Sequence, residues 1–112
     1  MMNFVSITPI SVNNAWRGRR FKTDEYKRYE NALLWMLPQK ELPKPPYTIH
    51  YEFGFSSTAS DIDNPVKPFQ DILCKKYGFN DKDIFYITVK KKVVKKGAEY
   101  VKFDILSYDK ES

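Results

Sequence analysis

Hydrophobic and polar residues follow regular periods along most of this chain. Between Tyr47 and Phe55 nearly every second residue is aromatic or aliphatic, which predicts a β-strand with one buried face. Runs rich in β-branched and aromatic residues predict three further strands, over residues 3–9, 84–94 and 100–107. The pattern therefore predicts four strands, and the one that begins at Tyr47 has the clearest period.

Two other segments repeat apolar residues at the spacing of an α-helix. The first follows Thr23, whose hydroxyl can cap a helix, and it stops at Pro38. Its apolar stripe consists of Tyr26, Tyr29, Leu33, Met36 and Leu37. The second helix is predicted from about Val66 to Tyr77, because Gly78 is a residue type common just after a helix. Residues 10–20 are predicted to form a polar, turn-prone loop.

In chain order these elements give a β-α-β-α-β-β arrangement. At 112 residues the chain is long enough for one core, so we expect a single domain over residues 1–112. The fold class predicted is α+β, with a mixed sheet and both helices on one of its faces.

Composition narrows the classes of site that this domain can carry. No apolar stretch approaches the ~20 residues of a membrane span, and no signal-peptide pattern opens the chain, so we expect a cytoplasmic protein without a membrane partner. The chain has a single cysteine, Cys74, and a single histidine, His50. An internal disulfide and metal sites built on several cysteines or histidines are thereby excluded. Any bound metal must be held by the oxygens of Asp and Glu.

The net charge of +5 is concentrated in two basic runs, RGRRFK over residues 17–22 and KKKVVKK over residues 90–96. Basic runs favour a polyanion as partner, because each phosphate they neutralise releases counterions. The alternative is a solvated face or a hairpin tip. The candidates for contact with DNA are Arg17, Arg19, Arg20, Lys90, Lys91 and Lys92.

The segment SDIDNPVKPFQDIL, over residues 60–73, carries the candidate chemistry. Asp61 and Asp63 stand two residues apart in an extended approach to a helix, so their side chains can point the same way. Lys67 follows one turn later, and reversal of the chain after the helix can bring Asp81 alongside. Three carboxylates form an oxygen site suited to Mg²⁺, with Mn²⁺ as a substitute.

An ordinary helix entrance explains the same segment differently. Asp63 or Asn64 would cap the helix, with Pro65 in its first turn. If Asn64 caps, Pro68 occupies the fourth helical position and removes the first backbone hydrogen bond, which predicts an irregular opening turn.

The segments SDIDNPVKPFQDIL and YGFNDKDI together resemble the signature of the RusA family of Holliday junction resolvases. SVNNAW, after the first strand, is similar to the family's opening, and the likeness spans most of the chain. The resemblance implies a Mg²⁺-dependent endonuclease that acts as a homodimer on four-way DNA junctions, without a small-molecule cofactor. It implies Asp61, Asp63 and Asp81 as the catalytic, metal-binding acids and Lys67 as the catalytic lysine. Asp83 is the alternative to Asp81, and Asp71 matches an acid in the family's helix that can be structural.

Two further hypotheses stay open from the sequence. In a non-catalytic DNA-binding module of recombination or replication, the basic runs bind DNA and the aspartates only cap. The other hypothesis is a Mg²⁺ hydrolase of nucleotides or other phosphate esters, although the four glycines are not clustered into a phosphate-binding loop. Three acids beside a DNA surface would repel phosphate unless a metal neutralised them, which favours the nuclease.

Overall fold

The computed structural model describes residues 2–18 and 21–109. Three α-helices occur in these residues: α1 (Val12–Ala15), α2 (Asp24–Met36) and α3 (Val66–Tyr77). A single turn of 3-10 helix, Asp81–Asp83, follows α3. The same residues form six strands: β1 (Asn3–Val5), β2 (Trp16–Arg17), β3 (Phe21–Lys22), β4 (Tyr47–Phe55), β5 (Ile84–Val93) and β6 (Tyr100–Ser107).

Four of the strands form the main sheet, in the order β1-β6-β4-β5. β4 and β5 are parallel because α3 crosses over between them, whereas β6 runs antiparallel to both β4 and β1. The predicted α+β domain with a mixed sheet is therefore confirmed.

The core lies between the two long helices and one face of this sheet, here called the inner face. Alternate residues of β4, from Tyr47 to Phe55, are buried there, as the period of two predicted. The Phe69 ring of α3 packs against the rings of Tyr51, Phe53 and Phe103, with centroids 5.6 to 6.1 Å apart. Helix α2 adds three buried side chains to the same core, Tyr26, Tyr29 and Leu33. Both long helices thus cover one face, and no helix in the described residues covers the opposite, outer face.

The region before α2 differs from its prediction. β1 ends at Val5 rather than at residue 9, and the predicted loop contains the short helix α1 and the two-stranded sheet β2–β3. The Ser11 side chain accepts a hydrogen bond from the Asn13 N–H and so caps α1. Gly18, directly after β2, adopts φ 69°, a left-handed conformation that glycine reaches without a steric cost. Met36, predicted in the apolar stripe of the helix, is exposed.

The two long helices start in different ways. Thr23 caps α2 as predicted, since its side chain accepts from the Tyr26 N–H. At α3 neither Asp63 nor Asn64 caps: Pro65 occupies the cap position without a side-chain hydrogen bond. Pro68 is therefore the third helical residue, a position whose backbone N–H makes no bond within a helix, so the missing N–H of the proline removes none. The irregular opening turn was predicted for a helix capped by Asn64, which does not occur, and the Phe69 N–H bonds the Pro65 carbonyl at 3.4 Å.

None of the helices within residues 2–18 and 21–109 has the length and apolar character needed to cross a membrane.

Candidate active site

The first turn of α3 meets the 3-10 turn that precedes β5. The Lys67 ammonium lies 2.8 Å from Asp71 Oδ1 and 3.4 Å from Asp81 Oδ2. Lys67 and Asp71 are one helical turn apart, so they share a face of α3. Gly78, with φ 71°, ends the helix in the left-handed conformation and turns the chain back toward β5. Lys67 and Asp81, both predicted site residues, are thereby brought into contact.

The hydrogen bond from Lys67 to Asp71 raises the pKa of Lys67 above its ordinary value, and Asp81 adds to this effect. The ammonium therefore remains charged at neutral pH. Burial raises the pKa of the nearby Cys74 thiol to about 11, and the charge of Asp81 contributes. Cys74 is consequently a neutral side chain beside the site, and the charges available for chemistry there are those of Lys67 and the acids.

Asp61 belongs to the loop that enters α3. Its Oδ2 accepts a hydrogen bond from the Asn64 amide at 3.3 Å. The Asn64 carbonyl in turn accepts from the Val12 N–H at 2.9 Å, which attaches α1 to this loop. Asp61 and Asn64 line a groove of about 340 Å³ together with Ser11 and Asn14. Asp61 is therefore open to a ligand from the side of α1.

Asp63 lies in the same loop, with its side chain exposed and its carbonyl accepting from the Val66 N–H at 3.2 Å. The donor type offered by Asp61, Asp63 and Asp81 is the carboxylate oxygen that Mg²⁺ prefers. No three acidic, histidine or cysteine side chains among the described residues converge closely enough to hold one ion. Metal binding by these aspartates stays a prediction, and it requires their carboxylates to approach one another around the ion.

Two other acids near the site have distinct surroundings. Asp71, matched by resemblance to an acid in the family's helix, makes the shorter of the two contacts with Lys67. Asp83 lies in the 3-10 turn, where the Asn80 side chain accepts from the Lys82 N–H and caps it. Because Asp81 contacts Lys67, this geometry favours Asp81 over Asp83 as the acid that works with the lysine.

The lysines of β5 alternate between the two faces of the sheet. Lys90 and Lys92 pair with Glu52 and Gly54 of β4, on the outer face. Lys91 lies opposite Phe53, on the inner face, and its ammonium donates to the carbonyls of Thr58 (2.9 Å) and Ser60. Lys91 therefore anchors the loop that leads to Asp61.

Only one of the three arginines predicted to contact DNA lies within the described residues. Arg17 is exposed on β2, and Arg19 and Arg20 lie outside the described residues. Contact of any of these basic residues with DNA stays a prediction.

The structure also adds residues that the sequence did not single out for chemistry. A second groove, of about 510 Å³, opens between α1, the turn after β2 and the first turn of α3. We call it the Trp16 groove; its lining residues are Val12, Asn13, Trp16, Gly18, Lys67 and Asp71. The sequence did contain a signal, the segment SVNNAW, in which amide side chains stand close to an indole. Because this segment is far from Lys67 along the chain, the sequence did not indicate that the segment and Lys67 are close in space.

No protein-family model matches this sequence, and no curated protein is significantly similar to it. The resemblance of residues 60–73 to the RusA signature accordingly stays a prediction.

Proposed function

We propose that this chain is a Mg²⁺-dependent endodeoxyribonuclease that resolves four-way DNA junctions by paired cuts, as a homodimer. The observation that carries the proposal is the contact of Lys67 with Asp81. It joins the first turn of α3 to the turn before β5, beside the loop that holds Asp61 and Asp63. A charged lysine among several carboxylates is an arrangement suited to phosphodiester hydrolysis.

Each of these residues has a role in the proposed reaction. Asp61, Asp63 and Asp81 would hold Mg²⁺ through their carboxylate oxygens. When bound, such an ion supplies an activated water and neutralises charge on the phosphate. Lys67 binds a phosphate oxygen as a point charge, in exchange for one of its carboxylate partners. Asp71 keeps Lys67 charged and oriented along α3.

The basic residues position the DNA in this proposal. Lys90 and Lys92 on the outer face and Arg17 on β2 bind backbone phosphates without reading sequence. Branched DNA with two equivalent strands needs two cuts, and one acidic cluster supplies one. A two-fold homodimer supplies both cuts with the symmetry of the junction.

A non-catalytic DNA-binding module is the second candidate, and one observation favours it. Asp61, Asp71 and Asp81 each have a hydrogen-bonding partner within the chain, either Asn64 or Lys67. In such a module these carboxylates only stabilise the loop and the helix, and DNA binding is independent of divalent metal.

Asp63→Asn separates the two functions. The nuclease is expected to cut a synthetic four-way junction in Mg²⁺ and to stop in EDTA. Asp63→Asn should cut at least about 100-fold more slowly, because a ligand charge is lost. It should bind the junction at least as well as the parent, because a charge that repels phosphate is removed.

The exposed Glu41→Gln is the matched control, since it removes one negative charge from the linker before β4 and should leave cleavage unchanged. Full cleavage by Asp63→Asn would refute the assigned role of Asp63. Junction binding without cleavage by the parent, with or without metal, would favour the non-catalytic module.

A further inference from the structure

The Trp16 groove combines four kinds of group at one place: an indole, an amide from Asn13, a carboxylate from Asp71 and the Lys67 ammonium. Its volume of about 510 Å³ lies within the ~300–1,000 Å³ usual for small-molecule sites. Asn13 is exposed and Trp16 is half-buried, so both are accessible. The proposed phosphate ligand Lys67 thus shares a groove with groups that can bind a flat, polar ring.

Trp16 is held in place before any ligand arrives. Its ring packs against that of Tyr26, with centroids 5.7 Å apart. The Tyr26 hydroxyl donates to the Pro68 carbonyl, at 3.2 Å, in the first turn of α3. The backbone of Trp16 pairs with Lys22 in the β2–β3 sheet, and the Thr23 N–H bonds the Ala15 carbonyl at 3.0 Å. The indole is therefore fixed relative to Lys67, as a stacking platform must be.

We propose that the Trp16 groove binds one unpaired nucleobase of the DNA strand, stacked on Trp16 and next to the phosphate bound by Lys67. Every nucleobase has a π-face that can stack on an indole. The Asn13 amide can both donate to and accept from a base edge, and a carboxylate such as Asp71 accepts from an exocyclic amino group. Asp71 Oδ1 is bound to Lys67, which leaves its second oxygen for the base. The exposed Arg17, adjacent to Trp16, can neutralise the next phosphate.

This inference rests on the proposed function for its DNA substrate, and it adds that one base is read outside the double helix. Branched and single-stranded DNA contain unpaired bases. Extruding such a base costs less free energy than extruding one from an intact duplex. A groove that accepts one base gives the cut a preference for the identity of that base, whereas phosphate contacts alone do not.

The test uses binding without metal, so it does not depend on cleavage. The chain has two tryptophans, and Trp35 is 91% exposed on α2, so Trp35→Phe leaves Trp16 as the only fluorescent indole. Four single-stranded tetranucleotides, each of one base, are titrated into this variant in EDTA. We expect saturable quenching of Trp16 by at least one of them. In the same background Asn13→Ala should weaken the preferred tetranucleotide about 5-fold or more.

Asn31→Ala, an exposed asparagine on α2, is the matched control and should bind like its parent. The proposal is overturned if no tetranucleotide quenches Trp16, or if Asn13→Ala and Asn31→Ala bind equally well. Junction cleavage in Mg²⁺ is measured in parallel with the Trp35→Phe variant. Cleavage without quenching would refute the nucleobase site alone. Quenching without cleavage would refute the proposed nuclease and would still support the nucleobase site.

Discussion

Lys67 is the residue that connects the candidate site, because its ammonium contacts acids from two different elements. Its side chain is 56% exposed, so the ion pairs contribute little to folding. The same exposure leaves the charge accessible to a phosphate. A large functional effect with a small stability effect is the signature expected of such a residue.

Lys67→Ala should therefore change the free energy of unfolding by no more than about 0.5 kcal/mol, measured by urea denaturation. The rate of junction cleavage at saturating DNA should fall about 100-fold, because a preorganised charge at the reacting phosphate is lost. Lys27→Ala, an exposed lysine of α2, is the control and should cleave normally. A normal rate for Lys67→Ala would mean that Lys67 is only a surface lysine of α3.

The surroundings of Glu52, on the outer face of the sheet, predict that the stability of the fold depends on pH. The Tyr100 hydroxyl donates to Glu52 and lowers its pKa below the ordinary value of 4.5, with a smaller contribution from Lys102, 3.7 Å away. Because the pKa is lower in the folded chain, the carboxylate stabilises the fold above pH 4.5, and this stabilisation disappears as the pH falls through the folded-state value. Glu52→Gln should lower the free energy of unfolding by about 1 kcal/mol at neutral pH and by much less at a pH below the folded-state pKa of Glu52. Urea denaturation at both pH values checks this, and an equal difference at both would contradict it.

At the scale of elements, the crossover from β4 through α3 to β5 builds the candidate site. The loop that leaves β4 carries Asp61 and Asp63, α3 carries Lys67, and the turn into β5 carries Asp81. Lys91 of β5 attaches this strand to the loop that leaves β4, because its ammonium donates to the carbonyls of Thr58 and Ser60 in that loop. Lys91, the middle one of the three consecutive lysines 90–92, is thus bonded to the chain's own backbone.

Lys91→Met keeps an apolar stem of similar length and removes both hydrogen bonds. We expect slower junction cleavage and a higher Mg²⁺ concentration for half-maximal rate, since the loop that carries Asp61 loses its anchor. Lys90→Met is the matched control on the outer face of the same strand. It should keep the Mg²⁺ requirement and flatten the dependence of log affinity on log salt by about one, if Lys90 binds a phosphate. Identical behaviour of the two variants would show that Lys91 does not position the loop.

At the scale of the molecule, the outer face of the sheet is the one that no helix within residues 2–18 and 21–109 covers. It bears the exposed side chains of Phe4, Tyr86 and Leu106, and also Lys90 and Lys92 of β5. We predict a homodimer of the 13.3 kDa chain in solution, because symmetric cutting of a junction requires two sites. Sedimentation of the free protein and of its complex with junction DNA measures this. A monomer under both conditions would exclude resolution by paired cuts, while single cuts would remain compatible with the site.

The regular elements could be predicted wherever a local pattern determines them. The alternation over Tyr47–Phe55 and the cap at Thr23 depend on neighbouring residues alone, and both appear as predicted. Helix α1 and the β2–β3 pair could not be predicted in this way. They are short, and contacts with distant residues hold them, such as the Val12 N–H to the Asn64 carbonyl. A segment of four residues has too few local interactions to specify a helix by itself.

The sequence by itself determined the α+β class, the order of the long elements and the type of chemistry available, because periodicity, charge and the number of histidines and cysteines are properties of the chain. The tertiary structure decided which charged residues meet. Three consecutive lysines are equivalent in the sequence, yet the register of β5 on β4 directs only Lys91 toward the loop before α3. Likewise Lys67 contacts Asp81, and Asn13 lines a groove with Asp71, because packing places these segments together. Contacts between residues far apart in the chain depend on the summed geometry of every element between them, which no local pattern encodes.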